Sequence, residues 1–305
     1  MKILFAGDAN IDFQMTGLSS FPQVDREVLC SGFAAAIGGS TTICAAAYAT
    51  LGGSAFFCGL LGDDENGRLM ERMLRGAGVR LDLLRFTREH STGVTVNLVH
   101  HSTRTQITYP GTLTTVDETD AILQAMGSFS HIHLSGVYPL IRFLPRIRAV
   151  LLRARDAGVT SSLDTQWDQQ ETWNHLSDWL PILTYLFVNE EESLSITKKA
   201  DIDSAYNELA SRTACPLIKR GASGVYARGR RFPSFAVEVR DTTGAGDTFA
   251  AGFLFAMKEK SMPFDDAVRF GCAAAALCCT FTGGVSAEEL RPERVMRLMN
   301  EGNPS

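Results

Sequence analysis

The chain lacks any apolar run long enough to cross a membrane, and it lacks a strong excess of charge of either sign. Its longest uncharged apolar stretch, Gly271 to Phe281, has 11 residues, whereas a membrane-spanning helix needs about 20. The formal net charge is −5 and the isoelectric point is near 5.7, which argues against a broad basic surface for nucleic acid. We therefore expect neither a membrane nor a nucleic acid among its partners.

Cysteine pairs with metal-binding or redox spacing are also absent, because no C-x-x-C sequence occurs. An odd number of cysteines in Ala- and Phe-rich surroundings is typical of reduced, buried thiols in a cytosolic protein. The segment from Met1 to Asp8 reaches an acidic residue too early for a secretory signal peptide, so we expect a cytoplasmic location. The seven cysteines are Cys30, Cys44, Cys58, Cys215, Cys272, Cys278 and Cys279.

Two common nucleotide-binding motifs are missing as well. The sequence has no G-x-x-x-x-G-K-[ST] P-loop, which excludes that class of enzyme. Its first predicted strand is not followed by G-x-G-x-x-G, which weakens a dinucleotide-binding interpretation.

Short apolar runs alternate with longer amphipathic segments along the chain. The short runs are typical of strands and the longer segments of helices. Their alternation predicts an α/β fold, with a doubly wound, mostly parallel sheet flanked by helices, and we treat residues 1–305 as one domain. The predicted strands are Ile3–Ala6, Ala55–Cys58, Ile132–Leu134, Val159–Leu163, Tyr185–Val188 and Leu217–Lys219. The predicted helices are Thr41–Leu51, Gly67–Arg75, Leu144–Ala157, Ala205–Arg212, Asp247–Lys258 and Phe264–Cys279.

Two segments, residues 13–33 and 93–109, interrupt this alternation. The first is rich in turn residues, and the second is β-rich with a predicted turn at Ser102-Thr103. Long insertions in compact domains are often functional, so both segments are candidates for a small β lid over one edge of the main sheet. An ordinary surface hairpin is the alternative.

Polar side chains follow the predicted strands at the point where each strand ends. In an open α/β sheet, ligands bind at the carboxyl ends of the strands. This rule predicts a site formed by Asp8, Asn10, Asp12, Asp164, Asn189, Glu192 and Gly221.

The segment Asp241–Gly252 carries the strongest chemical signal. A turn of Gly244, Ala245 and Gly246 opens directly into an apolar helix, and the N-terminus of a helix favours an anion that glycine lets approach the backbone closely. Asp247 follows in the first turn, where a carboxylate can accept a proton from an attacking hydroxyl. The alternative is that Asp247 only caps its helix.

Several segments, in the same order, resemble the signatures of the ribokinase-like (PfkB) carbohydrate kinases. The resemblance runs from about Ile3 to Val285, which is nearly the whole chain. The matching segments are Gly38-Gly39, Leu51-Gly52, Gly59–Gly67, Asn189–Glu192, Lys219–Gly224 and Asp241–Gly252.

The resemblance implies an ATP-dependent kinase that uses Mg²⁺. Asp247 would be the catalytic base, and the backbone of Gly244, Ala245 and Gly246 would form an anion hole for the transferred phosphate. Glu192 would help to order Mg²⁺, through water, with Asn189. The positions implied for nucleotide binding are Asn189, Glu192, Lys219, Gly221, Gly224 and Cys272, the last on a helix that would form a wall beside the adenine.

For the acceptor, the resemblance implies that Asp12 binds substrate hydroxyls together with the backbone of Gly38 and Gly39. It also implies a monovalent cation, such as K⁺, beside the anion hole. The cation ligands would come from Asp241, Thr243 and Gly283. The lid is also a candidate interface for a homodimer.

Each of these residues also has a purely structural interpretation. Glu190–Glu192 could be the charged first turn of a helix, and Gly38-Gly39 an ordinary turn. Lys219 could lie at a solvated strand end, and Asp12 could cap a loop.

One position departs from the family pattern. Many members have Asn, which contacts the sugar, where this chain has Ile43. Isoleucine cannot hydrogen-bond, so assignment to ribose or fructose is in doubt while the phosphoryl-transfer residues are intact. Ser40, Thr41 or Thr42 could supply the missing contact.

Histidine and tryptophan residues suggest no further chemistry. His131 and His133 alternate on a predicted strand and so face the same side, and we interpret them as structural or solvent-facing, because a metal site would need further ligands that the sequence does not identify. The pair His100-His101 would point to opposite faces of its strand. Trp167 follows a strand end, where it could stack on a sugar ring or fill a loop.

Together these features predict ATP-dependent phosphorylation of a hydroxyl on a sugar or sugar-like molecule. A nucleoside kinase of the same fold is one alternative. The other is a sugar- or nucleotide-sensing protein that binds without turnover.

Overall fold

The computed structural model describes residues 1–100 and 103–302 and contains a nine-stranded and a four-stranded sheet. The strands are β1 Lys2–Gly7, β2 Asn10–Thr16, β3 Gly32–Gly38, β4 Ser54–Gly62, β5 Arg80–Thr87, β6 Gly93–His100, β7 Thr103–Tyr109, β8 His131–Ser135, β9 Thr160–Asp164, β10 Tyr185–Asn189, β11 Pro216–Lys219, β12 Val225–Ala227 and β13 Arg230–Phe232. The α-helices are α1 Ser40–Thr50, α2 Glu65–Gly76, α3 Thr119–Ala125, α4 Ile147–Asp156, α5 Leu176–Trp179, α6 Glu190–Thr197, α7 Ile202–Ala210, α8 Ala245–Lys258, α9 Phe264–Cys278 and α10 Pro292–Glu301.

The large sheet has the order β13-β12-β11-β10-β9-β8-β1-β4-β5. Pairing is parallel from β11 to β5, and only the β11-β12 and β12-β13 pairs at one edge are antiparallel. All six predicted core strands are present in it. The predicted doubly wound, mostly parallel sheet is therefore confirmed.

Helices cover both faces of this sheet, and strand β1 shows why. Ile3 and Phe5 point into one hydrophobic cluster, which includes residues of α1, α8 and α9. Leu4 and Ala6 point into a second cluster, which includes residues of α3 and α4. A strand buried on both faces needs a continuous apolar run rather than an alternating one, which is the pattern at the start of the chain.

The small sheet has the order β3-β2-β6-β7. Residues 93–109 form the expected β structure as β6 and β7, although Ser102 of the predicted turn and His101 lie outside the described residues. The other predicted lid segment, residues 13–33, contributes the end of β2 and the start of β3. Strand β2 begins at Asn10, and β3 runs from Gly32 to Gly38, so most of residues 13–33 connects the two strands.

The histidines of β8 lie in the core, which agrees with the structural interpretation and not with the solvent-facing one. His131 Nδ1 is 2.8 Å from Thr160 Oγ1 and its Nε2 is 2.8 Å from Ser162 Oγ, which in turn lies 2.7 Å from His133 Nδ1. Lys258 Nζ donates to Thr160 Oγ1 at 2.7 Å. Burial lowers the pKa of His131 far below its usual value and that of His133 to about 3, so both rings are neutral parts of the fold.

The cysteines are all free thiols, but they are not all buried as predicted. Cys44, Cys58, Cys272 and Cys278 are buried, whereas Cys30 is exposed. Cys30 lies in the connection between β2 and β3, which the composition around it does not reveal. None of the helices in the described part of the chain is long and apolar enough to cross a membrane.

Candidate active site

The carboxyl ends of the central strands bring several predicted residues to one edge of the large sheet. Asp8 follows β1, Asp164 ends β9, Asn189 ends β10 and Lys219 ends β11. Because these strands run parallel, their last residues lie along the same edge of the sheet. The N-terminus of α8, with Asp247 in its first turn, lies at the same edge.

Two cavities meet at this edge. The first encloses about 560 Å³ and the second about 770 Å³. Four residues line both cavities: Gln166, Thr242, Gly244 and Asp247. A group in either cavity would therefore lie next to Asp247.

The environment of Asp247 makes it an unusually strong base for a carboxylate. Its side chain is 7% exposed, and Gln166 Nε2 donates to Oδ1 at 3.3 Å. Burial and then the charge of Asp164 raise the pKa of Asp247 to about 8, against the lowering effect of Lys219. Asp247 is not a helix cap, which was the structural alternative, because Gly244 occupies the cap position and α8 has no side-chain cap.

Gly244 turns the chain sharply into α8. Its φ is 73°, in the left-handed region that glycine adopts without strain. A Cβ atom there would lie 2.9 Å from Cγ2 of Ile43. Ala245 N donates to Thr242 O within this turn, so the helix start is left with the N–H groups of Gly246 and Asp247, which have no intrahelical partner.

Lys219 and Asp164 form a buried ion pair beside Asp247. Lys219 Nζ donates to Asp164 Oδ2 at 2.5 Å, and Asp164 Oδ1 is buried without a hydrogen-bond partner among the described residues. Burial opposes the lysine charge most strongly, yet attraction to Asp164, Glu192 and Asp247 raises the pKa of Lys219 overall. The strand-end lysine therefore stays a cation in the first cavity.

Asn189 and Glu192 form a capping box at the start of α6. Asn189 Oδ1 accepts from Glu192 N at 2.8 Å, and Glu192 accepts from the Asn189 backbone N and Nδ2 at 2.8 Å each. Glu192 therefore does lie in the charged first turn of a helix, as the structural interpretation predicted. Asn189 and Glu192 also line the first cavity. Burial raises the pKa of Glu192, while the charge of Lys219 opposes the rise.

The first cavity contains every position predicted for nucleotide binding. Its apolar part is formed by residues of α9 and by Val225, Phe235 and Phe249. The predicted residues in its lining are Asn189, Glu192, Lys219, Gly221, Gly224 and Cys272.

The second cavity lies between the small sheet and the large one. Asp12 and Gly39 line it, as predicted, together with Asp8, Asn10 and Ile43. Asp12 is 6% exposed and accepts from Asn10 Nδ2 at 2.8 Å and from Asn97 Nδ2 at 3.2 Å. It is held by side chains of the small sheet and does not cap a loop.

Gly38 has a different place from the one predicted. It is not among the residues that line the second cavity. A Cβ atom at Gly38 would overlap Asp12 Oδ1, so the glycine lets the carboxylate lie against the backbone. Its role in the structure is to make room for Asp12.

Sequence reasoning placed Asp8 at the site but missed its function in the fold. Its carboxylate accepts from Ser40 N at 3.0 Å and from Thr41 N at 2.8 Å, and it thereby caps α1, whose own cap residue is Gly39. Burial raises the pKa of Asp8, with the Thr41 and Ser40 hydrogen bonds opposing the rise.

Gln166, Asp168 and Trp167 form a second group, of which the sequence pattern indicates only Trp167, as a residue after a strand end that could stack on a sugar ring or fill a loop. Gln166 contacts Asp247, and all three line the second cavity. Trp167 is 39% exposed and packs edge-on against Trp173. It therefore borders the cavity and packs within its loop at the same time.

The residues predicted for a monovalent cation cluster behind the α8 turn. Asp241 accepts from Thr243 N and Oγ1 at 2.9 and 2.6 Å and from Gly283 N at 3.2 Å. The carbonyl oxygens of Thr243 and Gly284 both accept from Cys278 Sγ, at 3.4 and 3.2 Å. Carboxylate and carbonyl oxygens are the kinds of donor that a hard cation prefers.

Comparison with known proteins agrees with this geometry. The model of the pfkB family of carbohydrate kinases matches residues 1–290. A ribokinase of Bacillus subtilis (strain 168) is 29% identical over 290 residues, with 92% of this chain and 94% of the relative covered. An ATP-dependent ribose-1-phosphate kinase of Halopiger xanaduensis is 28% identical over 259 residues, with 83% and 84% covered.

A solved structure shows the same fold. The ribokinase of Arabidopsis thaliana, complexed with ribose and ATP, superposes with a TM-score of 0.80 at 24% identity and covers 98% of both chains. The fold, the order of the signatures and the family match all agree. The chain belongs to the pfkB family of carbohydrate kinases.

Proposed function

We propose that the protein transfers the γ-phosphate of ATP to a hydroxyl of a sugar or sugar-like small molecule, with Asp247 as the general base. The observation that carries the proposal is the position of Asp247, a buried carboxylate of raised pKa where two cavities meet. A phosphoryl-transfer site needs one pocket for the donor, one for the acceptor and a base between them.

ATP occupies the first cavity in this proposal. Its adenine lies against α9 near Cys272, and its phosphates extend along Gly221 and Gly224 toward Lys219 and the N-terminus of α8. Lys219 is the one basic residue in the lining among the described residues. The helix dipole and the N–H groups of Gly246 and Asp247 add positive potential where the γ-phosphate must lie.

The acceptor occupies the second cavity, with hydroxyls on Asp12 and beside Gly39. Asp247 removes the proton from the attacking hydroxyl as its oxygen approaches phosphorus in line with the leaving oxygen. The α8 N-terminus stabilises the charge that spreads over the transferred group. No covalent enzyme intermediate is needed.

Mg²⁺ and a monovalent cation complete the proposal. The carboxylate of Glu192, with Asn189 beside it in the first cavity, suits hydrated Mg²⁺, which is commonly held through water. Asp241, Thr243 and the 283–284 turn suit K⁺. Mg²⁺ would supply charge neutralisation at the phosphates, and K⁺ held by Asp241 and the neighbouring carbonyls would stabilise the turn at Gly244.

We further propose that residues 1–305 form one kinase domain in the cytoplasm, with the small sheet as its lid. The lid also serves as the interface of a homodimer. In support, the face of the small sheet away from the cavity carries Phe13, Phe33, Val96 and Ile107, of which Phe33 and Ile107 are 65% and 61% exposed.

Asp247→Asn tests the assignment of the base. The variant keeps the shape of the side chain and removes its basicity, so kcat should fall by roughly 10²–10⁴ while nucleotide affinity changes little. ADP release is measured over a panel of sugars and nucleosides, and ATP binding by calorimetry. Asp120→Asn, at a carboxylate that is 86% exposed on α3, is the matched control.

The same assay separates the alternatives. A variant that keeps more than about half of its turnover while chemistry limits the rate would remove Asp247 as the base. A preference for nucleosides over free sugars would identify a nucleoside kinase. ATP binding without ADP release by the unaltered protein, for any compound of the panel, would indicate a sensor.

A further inference from the structure

We infer that Gln166 is a positioning residue for phosphoryl transfer, whose side-chain amide holds the Asp247 carboxylate in the orientation from which it takes the acceptor proton. The inference rests on the proposed function, because it takes Asp247 as the general base. It assigns a role to a residue that lies outside the Asp241–Gly252 segment.

Gln166 reaches the junction of the two cavities on a different segment of the chain from Asp247. Among the described residues, four line both cavities, and the other three, Thr242, Gly244 and Asp247, belong to the segment that opens α8. Gln166 comes from the loop after β9, just beyond Asp164. The base is therefore contacted by a part of the chain that is 81 residues away in sequence.

The contact is a hydrogen bond from an amide to the base. Gln166 Nε2 donates to Asp247 Oδ1 at 3.3 Å. A donor on one carboxylate oxygen limits the rotation of the group and so fixes the direction in which its oxygens point. A reacting group that is misplaced by about 1 Å can lose about 10² in rate, so the orientation of the base matters for turnover.

Gln166 adopts a backbone conformation that favours glycine. Its φ is 53°, in the left-handed region that other residues rarely enter. Strain of this kind persists where the surrounding structure enforces it, and it clusters at functional sites. Of the eight described non-glycine residues with positive φ, four lie between positions 166 and 175, namely Gln166, Glu171, Trp173 and His175.

Hydrogen bonds on both sides of Gln166 hold this conformation. Before it, Thr165 Oγ1 donates to Glu192 Oε2 at 3.1 Å. After it, the Asp168 carboxylate accepts from three backbone N–H groups of the same loop at 2.8–3.0 Å. Because the flanking residues are fixed, the amide is placed against Asp247 before any ligand binds, as a positioning group requires.

The hydrogen bond also acts on the pKa of Asp247. A donor favours the charged form of a carboxylate, so loss of the Gln166 amide should raise the pKa of Asp247 above about 8. The charged and hydrogen-bonding groups that act on this pKa besides burial stay in place when Gln166 is replaced. They are Asp164, Lys219, Asp8 and the Ser40 side chain.

Two substitutions separate the hydrogen bond from the polarity and the backbone of this position. Gln166→Leu keeps most of the side-chain volume and removes the donor. Gln166→Asn keeps an amide, and asparagine enters the left-handed region more readily than most residues, but its side chain is one methylene too short to reach Asp247. Gln124→Leu, at an exposed position of α3, is the matched control.

Turnover is measured by ADP release with the best acceptor of the panel, at a pH above the titration of the base in each protein. Gln166→Leu and Gln166→Asn should each lower kcat about tenfold or more. The KM of the acceptor and the Kd of ATP should change by less than about threefold. In the Asp247→Asn background, Gln166→Leu should not lower kcat further, because the amide acts through the base.

The titration of Asp247 is measured without turnover, by NMR of protein labelled with carbon-13 at the aspartate carboxyl groups. The signal that is missing from Asp247→Asn identifies the residue. Its pKa should be higher in both Gln166 variants than in the parent and in Gln124→Leu. If no compound of the panel releases ADP, the proposed turnover fails and the role of Gln166 in it fails too, whereas the titration still shows whether the amide holds the carboxylate.

Three outcomes would overturn the inference while the parent is active. An unmoved pKa of Asp247, with kcat within about twofold of the parent in both variants, would show that the contact does not act on the base. A rise in pKa in Gln166→Leu alone would assign the effect to lost polarity and not to the hydrogen bond. A change confined to the Kd of ATP or the KM of the acceptor would make Gln166 a ligand-binding residue.

Discussion

At the scale of single residues, the basicity of Asp247 depends on a neighbour that the motif does not contain. Asp164 ends β9 and pairs with Lys219, and its charge is the second cause, after burial, that raises the pKa of Asp247. Removing that charge would also free Lys219 to approach Asp247. Both effects stabilise the Asp247 carboxylate and lower its pKa.

The pH dependence of kcat/KM should follow from this environment. The base acts only when it is deprotonated, so kcat/KM should rise as pH increases through about 8 and then level off. In Asp164→Asn the rise should occur at lower pH. To check this shift, kcat/KM is measured from pH 5 to 10 at constant ionic strength. Asp156→Asn, on the surface of α4, is the control. An unmoved profile in Asp164→Asn would assign the raised pKa to burial alone.

Ile43 is the residue where this chain departs from many of its relatives. It is 5% exposed, it lines the second cavity and its Cγ2 faces Gly244. It therefore presents a methyl group, where an Asn would present a donor and an acceptor, between the acceptor and the α8 turn.

Ile43→Asn should change substrate preference and leave ATP handling unaltered. Sites that hydrogen-bond a hydroxyl discriminate strongly and apolar ones weakly, so we expect relative kcat/KM values for individual sugars to change by about tenfold or more. Ile43→Val is the control that stays apolar. Identical rankings in all three proteins would mean that position 43 does not act on the acceptor.

At the scale of secondary-structure elements, the start of α8 depends on the segments behind it. The Asp241 carboxylate accepts hydrogen bonds from Thr243 N and Gly283 N. Cys278, at the end of α9, donates through Sγ to the carbonyl oxygens of Thr243 and Gly284. These contacts fix the turn from which Gly244 enters the helix. An ion bound there would alter the anion hole without touching the acceptor.

A monovalent cation should therefore act mainly on turnover. Replacing K⁺ by a bulky tetraalkylammonium ion at constant ionic strength should lower kcat several-fold and change KM for the sugar little. Asp241→Ala should abolish the difference between the two salts, and Asp156→Ala should keep it. If the unaltered protein works equally fast in both salts, Asp241 is a structural residue only.

The sequence predicted those parts of the site that lie close together along the chain. The turn of Gly244–Gly246 with Asp247 and the pair Asn189 and Glu192 are local, so their spacing alone indicates their geometry. Asp8 capping α1 joins residues 32 positions apart. Such a contact depends on strand order, which local patterns do not encode.

At the scale of the whole molecule, the sequence predicted the central strands of the large sheet but not its edge strands. The six buried central strands were predicted because an apolar run covered on both faces is easy to recognise. Strands β5, β12 and β13 lie at or near the edges and were missed. They carry polar residues such as Arg80 and Arg230, since an edge strand is partly solvated.

The outer face of the small sheet predicts the oligomeric state. Phe33 stacks on Phe13, and Val96 and Ile107 continue this apolar row across the sheet. Exposed apolar patches of this kind mark interaction sites. Sedimentation should give twice the chain mass of 33.2 kDa.

Ile107→Lys should raise the dimer dissociation constant at least about tenfold, because it places an unpaired charge in the interface. Val24→Lys, in the loop between β2 and β3 and 89% exposed, is the matched control. If the parent protein is a monomer, the proposed dimer does not form. If it is a dimer that Ile107→Lys leaves unaffected, the interface lies on another surface.

The buried row from Lys258 to His133 has a direction. Thr160 Oγ1 donates a hydrogen bond to Ser130 O, so it must accept one from His131 Nδ1–H. The neutral His131 then accepts a hydrogen bond from the Ser162 hydroxyl at Nε2, and Ser162 accepts one from His133 Nδ1–H. Both imidazoles are thereby fixed as Nδ1–H tautomers, and His133 Nε2 is left as a bare acceptor among the described residues. Donation therefore runs in one direction, from His133 through Ser162 and His131 to Thr160 and on to the Ser130 carbonyl, and Lys258 is a second donor to Thr160.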